Sequence, residues 1–205
     1  MRANTYPIGR VLRSTTTEFF IGCHVLEPDT PNFGEFVKVS AANGITIIGL
    51  IYNVQIHDDP AVRQLILAQQ LTRETILDQR ENRLVPIEVS VLIVGYHKNK
   101  QFRQTFPPQP PISLEEMQSC TPDEIVGFTK RLDYLRTIFS ASQVPADQLI
   151  IASLTRSAES QATEVRRNFL LESGREIARV LNTDLVRLDG ILRQLSLIVQ
   201  EVTES

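Results

Sequence analysis

The residues whose types could do chemistry are few and scattered along the 205-residue chain. Cys23-His24 sets a thiol beside an imidazole, the pairing that activates a thiolate nucleophile. Both fall in the stretch from Glu18 to Glu27, rich in aromatic and β-branched residues, which reads as a strand. Successive strand residues point to opposite faces, so the expectation is a cysteine packed on one face and a histidine on the other, not a dyad. His57-Asp58-Asp59 offers a nitrogen and two carboxylates, the donor types of a metal centre. A metal needs ligands converging from several elements, and Pro60 follows directly, so these acids read as the start of a helix. Glu115-Glu116 and Asp123-Glu124 are read alike, as acids complementing a helix N-terminus. His97, near Lys98 and Lys100, reads as a solvated loop residue.

Other chemistries lack their motifs. The chain contains no Gly-Lys pair, hence no P-loop, and no Gly-x-Gly-x-x-Gly. It has no Gly-x-Ser-x-Gly elbow. Cys23 and Cys120 are the only cysteines, far apart and outside any Cys-x-x-Cys. The sequence therefore implies no catalytic residue, no cofactor and no metal. Reduced thiols, a Met1–Gly9 stretch without an apolar signal core, and apolar runs too short to span a bilayer place the expected protein in the cytoplasm.

Two patterns point to binding. Lys98, Lys100 and Arg103 alternate with Phe102 and Phe106, a basic and aromatic run of the kind that grips single-stranded nucleic acid. Against that reading, the net charge is -3, with 11 basic and 10 acidic residues through Pro111 and 10 basic and 14 acidic beyond it. The second pattern is a heptad-like seam: Leu181, Leu185, Leu188, Leu192, Leu195, Val199 and Val202 step by four and three. Ile191 and Ile198 widen this stripe, which favours packing in a bundle over a two-stranded coiled coil. Both arrangements remain open at this level.

The elements that must position these residues divide at the prolines. Short β patterns cover Ile8–Leu12, Glu18–Glu27 and Phe36–Val39. In the stretch from Gly44 to His57, Ile48, Leu50, Tyr52, Val54 and Ile56 share one expected face. In the stretch from Ile87 to Val94, Ile87, Val89, Val91 and Ile93 share another. A helical excursion from Pro60 to about Arg80 interrupts them. Five or six strands with turns between them predict a small barrel or sandwich, and closure would hide the strand edges. Phe106-Pro-Pro-Gln-Pro-Pro111 reads as a stiff spacer rather than an SH3-type ligand.

Beyond it, Thr121-Pro122-Asp123-Glu124 opens a helix carrying Ile125, Phe128, Leu132, Leu135 and Phe139. Pro145-Ala146-Asp147 opens a second helix. A long helical segment from Gln161 to Val202 follows, with Asn182-Thr183-Asp184 as its break point. The expected class is α+β in two parts: a barrel with a helical insertion over 1–106, a Pro-rich linker over 107–120, and an all-α domain over 121–205.

The motifs Ile8-Gly9-Arg10-Val11, Thr16-Thr17-Glu18-Phe19, Gly34-Glu35-Phe36-Val37 and Ile48-Gly49-Leu50-Ile51 resemble the HAS-barrel. That is the small barrel at the N-terminus of HerA-type hexameric DNA translocases and of the catalytic-ring subunits of rotary ATP synthases. Arg167 to Arg179 resembles a signature of stand-alone bacterial HAS-barrel proteins. The resemblance implies a bacterial source and a barrel that joins subunits, without the ATPase it usually precedes. The expected function is a non-enzymatic assembly or adaptor protein, contacting itself or a barrel-bearing ATPase. The alternative is a nucleic-acid-binding accessory factor. The residues expected at the contacts are Lys98, Lys100, Phe102 and Arg103 on the basic run, and Leu185, Leu188, Leu192, Leu195 and Val199 on the seam.

Overall fold

The period-two apolar runs of the first half do close on themselves. The computed structural model describes residues 7–23, 31–56 and 87–204. Its strands are β1 (Gly9–Ser14), β2 (Glu18–Cys23), β3 (Phe36–Ala41), β4 (Ile45–Ile56), β5 (Ile87–Lys98), β6 (Gln101–Arg103) and β7 (Glu116–Ser119). Pairing runs β2-β1-β7-β3-β4-β5 and returns from β5 to β2, so six strands form a closed antiparallel ring. The short β6 pairs only with the far end of β5. The helices are α1 (Pro122–Thr129), α2 (Tyr134–Ser140), α3 (Ala146–Ser160), α4 (Thr163–Val180) and α5 (Leu185–Glu204). The expected α+β class, a barrel followed by helices, is the observed one. His24, the His57-Asp58-Asp59 stretch and the helical excursion lie outside the described residues.

Val11, Phe19, Ile21, Val37, Val39, Ile47, Ile51, Val89, Val91, Ile93 and Met117 fill the barrel interior. Ile87, Val89, Val91 and Ile93 share that inner face, as their spacing predicts. The face expected for β4 is split. Ile48, Leu50 and Tyr52 point outward to the helices, whereas Val54 packs against the interior cluster. A register shift between Ile51 and Asn53 is the cause. One extra residue in an antiparallel strand reverses the facing of everything after it.

β4 and β5 are apolar on both faces because both faces are covered. Phe36, Ile48, Leu50, Leu92 and Val94 on the outer wall share one cluster with Phe128, Tyr134, Leu135, Ile138, Leu149, Ile150 and Leu154 of the helices. Barrel and helices are thus joined through a common core. At its centre, the Phe128 ring lies 6.1 Å from Phe36, 5.6 Å from Tyr134 and 5.8 Å from Phe102. The contacts with Phe36 and Phe102 are edge-to-face, an arrangement that suits the ring quadrupole, and that with Tyr134 is tilted.

The prolines differ from the expected spacer. Pro107 and Pro111 are buried, and the Pro111 carbonyl accepts a hydrogen bond from Ser14 Oγ at 2.7 Å. Both rings are therefore withdrawn from an SH3-type partner. Further on, Leu114 N–H donates to the Val11 carbonyl and Val11 N–H to Glu115. The segment is a strap along β1 that leads directly into β7. Glu115-Glu116, expected at a helix start, instead leads into this strand, which fills the ring between β1 and β3. Four residues without apolar alternation give no local sign of a strand; their pairing is set by neighbours 78–108 positions away.

In contrast, local capping is visible in the sequence. Thr121 accepts from the Glu124 amide and Glu124 reaches back to the Thr121 amide, with Pro122 at the first position of α1. The apolar series from Ile125 to Phe139 is divided between α1 and α2 by a turn at residues 130–133. Gln104 holds this turn: its amide donates to the carbonyls of Phe128 and Arg131 and accepts from the Tyr134 amide. The break expected at Asn182-Thr183-Asp184 is present, and Asp184 Oδ1 caps α5 at the Arg187 amide.

Lys38 of β3 donates to both carboxylate oxygens of Glu124, at 2.7 and 2.8 Å, tying the barrel wall to the first turn of α1. Burial works to raise the Glu124 pKa, but the Lys38 hydrogen bond and the Thr121 amide outweigh it and lower it. A depressed folded-state pKa gives stability that is present above the unfolded carboxylate pKa and is lost as pH falls through the folded value. The stability gap between wild type and Glu124→Gln is therefore expected to be constant near neutrality and to narrow below about pH 4.5. Urea titrations from pH 7 to pH 3 would measure it, and a gap that widens in acid would refute the assignment.

Candidate interaction surfaces

The fold divides the basic run between two faces and packs most of the seam inside. Lys98 and Gln101 close a two-residue hairpin whose tip, Asn99-Lys100, has φ of 51° and 61°. That is the turn whose twist matches paired strands. Along this hairpin Lys98 and Arg103 share the face of Tyr96, while Phe102 pairs with His97 on the other. The Phe102 ring stacks at 4.7 Å on His97 and packs on Phe128, over Gly127. Phe102 is thus a wedge between hairpin and α1, and Phe106, 49% exposed, is the open aromatic ring of the run. His97 is half-buried under Phe102 rather than free in a loop. Lys130 and Arg131, remote in sequence, join Arg103 around a cleft of about 590 Å³ beside the hairpin.

The seam is mostly internal. Leu188 and Val199 pack against the shared core together with Ile198, Ile191 and Leu195 are buried in it, and Leu192 lies beside Gly174 of α4. Among the seam residues whose side chains are described, Leu185, 69% exposed, is the one turned to solvent. Helix α5 is also pinned by Arg187, which bonds Asp147 of α3 and lies 5.0 Å over the Phe139 ring. The stripe is used in a bundle, and its widening by Ile191 and Ile198 is the sequence sign of it.

Several of the described groups that could carry reactivity are buried or paired. Cys23 faces the barrel interior and Cys120 the shared core; burial pushes both thiols up, so neither is a thiolate near neutral pH. Tyr134 is fully buried, and desolvation raises it to about 12. Tyr52, also pushed up to about 12 by burial and by its bond to Glu18, donates to that carboxylate at 2.7 Å. Arg13 makes two bonds to Glu88, at 2.8 and 2.9 Å, and lies 3.8 Å over Phe20. Among the described residues, no three His, Cys, Asp or Glu side chains are grouped to hold a metal ion, and no helix is long and apolar enough to cross a membrane.

Sequence reasoning missed a different set. The described helices share their core with the outer wall of β3, β4 and β5. On the wall of β1, Leu12 is 53% exposed, and the strap adds Ile112 at 52% and Leu114 at 69%. A register shift between Val11 and Arg13 leaves Leu12 as the extra residue that faces out, over Gly22 of β2. Leu114 has φ of 70°, the left-handed region, while its carbonyl accepts from Arg10. Only the leucine types were visible beforehand; a bulge and a positive φ leave no residue signature here.

These features define a closed six-stranded barrel bearing helices on one side of its wall and aliphatic side chains on another. The sequence matches no protein-family model and no curated protein.

Proposed function

We propose that the protein is a non-catalytic assembly or adaptor protein of the bacterial cytoplasm, whose barrel makes protein–protein contacts with itself or with a barrel-bearing ATPase. The observation carrying this reading is Leu114, an aliphatic side chain held in solvent by a backbone that disfavours it. The left-handed region costs an ordinary residue about 1–2 kcal/mol, and glycine would avoid that cost. The Leu114 amide and carbonyl are bonded to Val11 and Arg10, so the turn holds the strap on β1 while the side chain is left in solvent, an aliphatic group free for a contact. The HAS-like motifs on β1 to β4 support the same reading, since that barrel joins subunits in the families it resembles.

A closed ring has no long free edge, so the contact runs through side chains rather than by strand addition. A wall of paired strands loses little freedom when a partner docks, which lowers the cost of association. The test is the native mass of the tagged chain taken from its own cells, by light scattering after gentle purification. A defined complex above the 23.2 kDa of one chain, with stoichiometric components, is expected. A bare monomer with no stoichiometric companion would defeat the proposal.

A further inference from the structure

Beyond the assembly reading, we infer that the cleft beside the β5–β6 hairpin binds single-stranded nucleic acid, with Arg103, Lys130 and Arg131 on its phosphates. The two walls come from distant parts of the chain. Residues 101–105 form one, and the end of α1 with the turn after it forms the other. They meet where Phe102 packs edge-on against Phe128, over Gly127. The cleft, about 590 Å³, is lined by described residues throughout. The described strands break off at Cys23, Ile56 and Ile87, and Cys23 and Ile56 both pair with Ile87 at the opposite end of β5. That end lies about 37 Å from the hairpin along the strand.

The charge of the cleft selects an anion. Arg103, Lys130 and Arg131 line it with one carboxylate, Asp133, which Arg131 holds at 2.7 Å. Among the described residues no carboxylate pairs with Arg103 or Lys130. Nor do these cations close the end of α1. The Phe128 and Arg131 carbonyls are taken by the Gln104 amide, and Gln104 accepts in turn from the Tyr134 amide. A neutral side chain thus fixes the turn, and the positive charges are left for a group outside the chain. Lys98, on the same face of the hairpin as Arg103, and Lys100 at its tip extend the positive strip.

The form of the site narrows the anion to a strand. Cations on both walls suit a chain of phosphates better than a single one. A duplex is too broad to enter a cleft of this volume. Phe106, 49% exposed, follows directly on Thr105 of the cleft wall and offers a ring to a base. An acidic peptide would match the charges and leave that ring unused. Every base has a π-face, so the site is expected to tolerate any sequence. Phe102, held by His97 and Phe128, shapes the floor without stacking on a base. Walls fixed in this way lose little freedom on binding.

Fluorescence anisotropy of a labelled oligothymidylate of about twenty nucleotides tests it, titrated with the purified full chain to about 100 µM at about 25 to 200 mM salt. Binding that weakens with salt is expected, its log–log slope falling by about 0.7 for each of Arg103→Gln and Lys130→Gln. The two together are expected to weaken binding at least about tenfold at low salt. Phe106→Ala is expected to weaken it at least about fivefold through lost stacking. The three side chains are exposed, so the variants are expected to stay folded, which thermal melts check. Arg193→Gln, on α5 where Asp189 already pairs with it, is the control expected to change nothing. No binding by wild type at about 25 mM salt overturns the inference, as does binding that the Arg103, Lys130 and Phe106 variants leave unchanged. Equal or better competition by a duplex or by polyglutamate overturns it too, because the cleft would then read charge alone. The native-mass measurement decides the assembly reading separately in every case.

Discussion

Replacing Tyr134 by alanine is expected to cost about 3–5 kcal/mol, enough to unfold a domain of ordinary stability. The ring is fully buried where barrel wall and helices meet, 6.0 Å from Phe36 and 5.6 Å from Phe128. Removing it opens a cavity bordered by both parts, and neither can collapse without moving a barrel strand. Tyr134→Phe keeps the ring and loses the hydroxyl's contacts with Ser153 Oγ, 3.5 Å away, and with Ser157. That change is expected to cost about 1 kcal/mol or less. Denaturant melts followed by far-UV signals for strand and helix would show one shared transition for both variants. Helix signal lost well before strand signal would mean that the barrel folds independently of its helices.

The second large effect is expected at Gly34, where φ is 78° and an added Cβ would collide with the Ala152 side chain of α3. Gly34→Ala carries two separable costs, about 1–2 kcal/mol for the left-handed backbone and about 1–3 kcal/mol for overpacking. Ala152→Gly in the same chain would relieve the collision and not the dihedral. The double variant is therefore expected to recover only the overpacking share, apart from the roughly 1 kcal/mol that glycine costs inside a helix. A double-mutant cycle by urea denaturation measures the coupling. Strict additivity would mean that the β2–β3 connection does not press on α3.

How much was legible follows the range of the interactions. The capping box at Thr121–Glu124 is visible because its parts lie within four residues, and the α5 stripe because one helix displays it whole. The Ile87–Ile93 alternation is likewise a property of one strand. The basic run was legible as composition, but the arrangement of its side chains was not. Alternation along the hairpin sends Lys98 and Arg103 to one face and Phe102 to the other, where Phe128 takes it up.

The amino-acid sequence by itself determined that the first half is built of strands, that the second is helical, and where most helices start. Those outcomes rest on local periodicity and capping, whose energies are decided within a few residues. Only the tertiary structure decided that β7 completes the ring, that the prolines form a strap along β1, and that Val54 turns inward after a bulge. It also decided that Leu12, Ile112 and Leu114 are left on the surface. Each of these depends on strands meeting across long stretches of chain, where geometry and not residue type sets which face a side chain occupies.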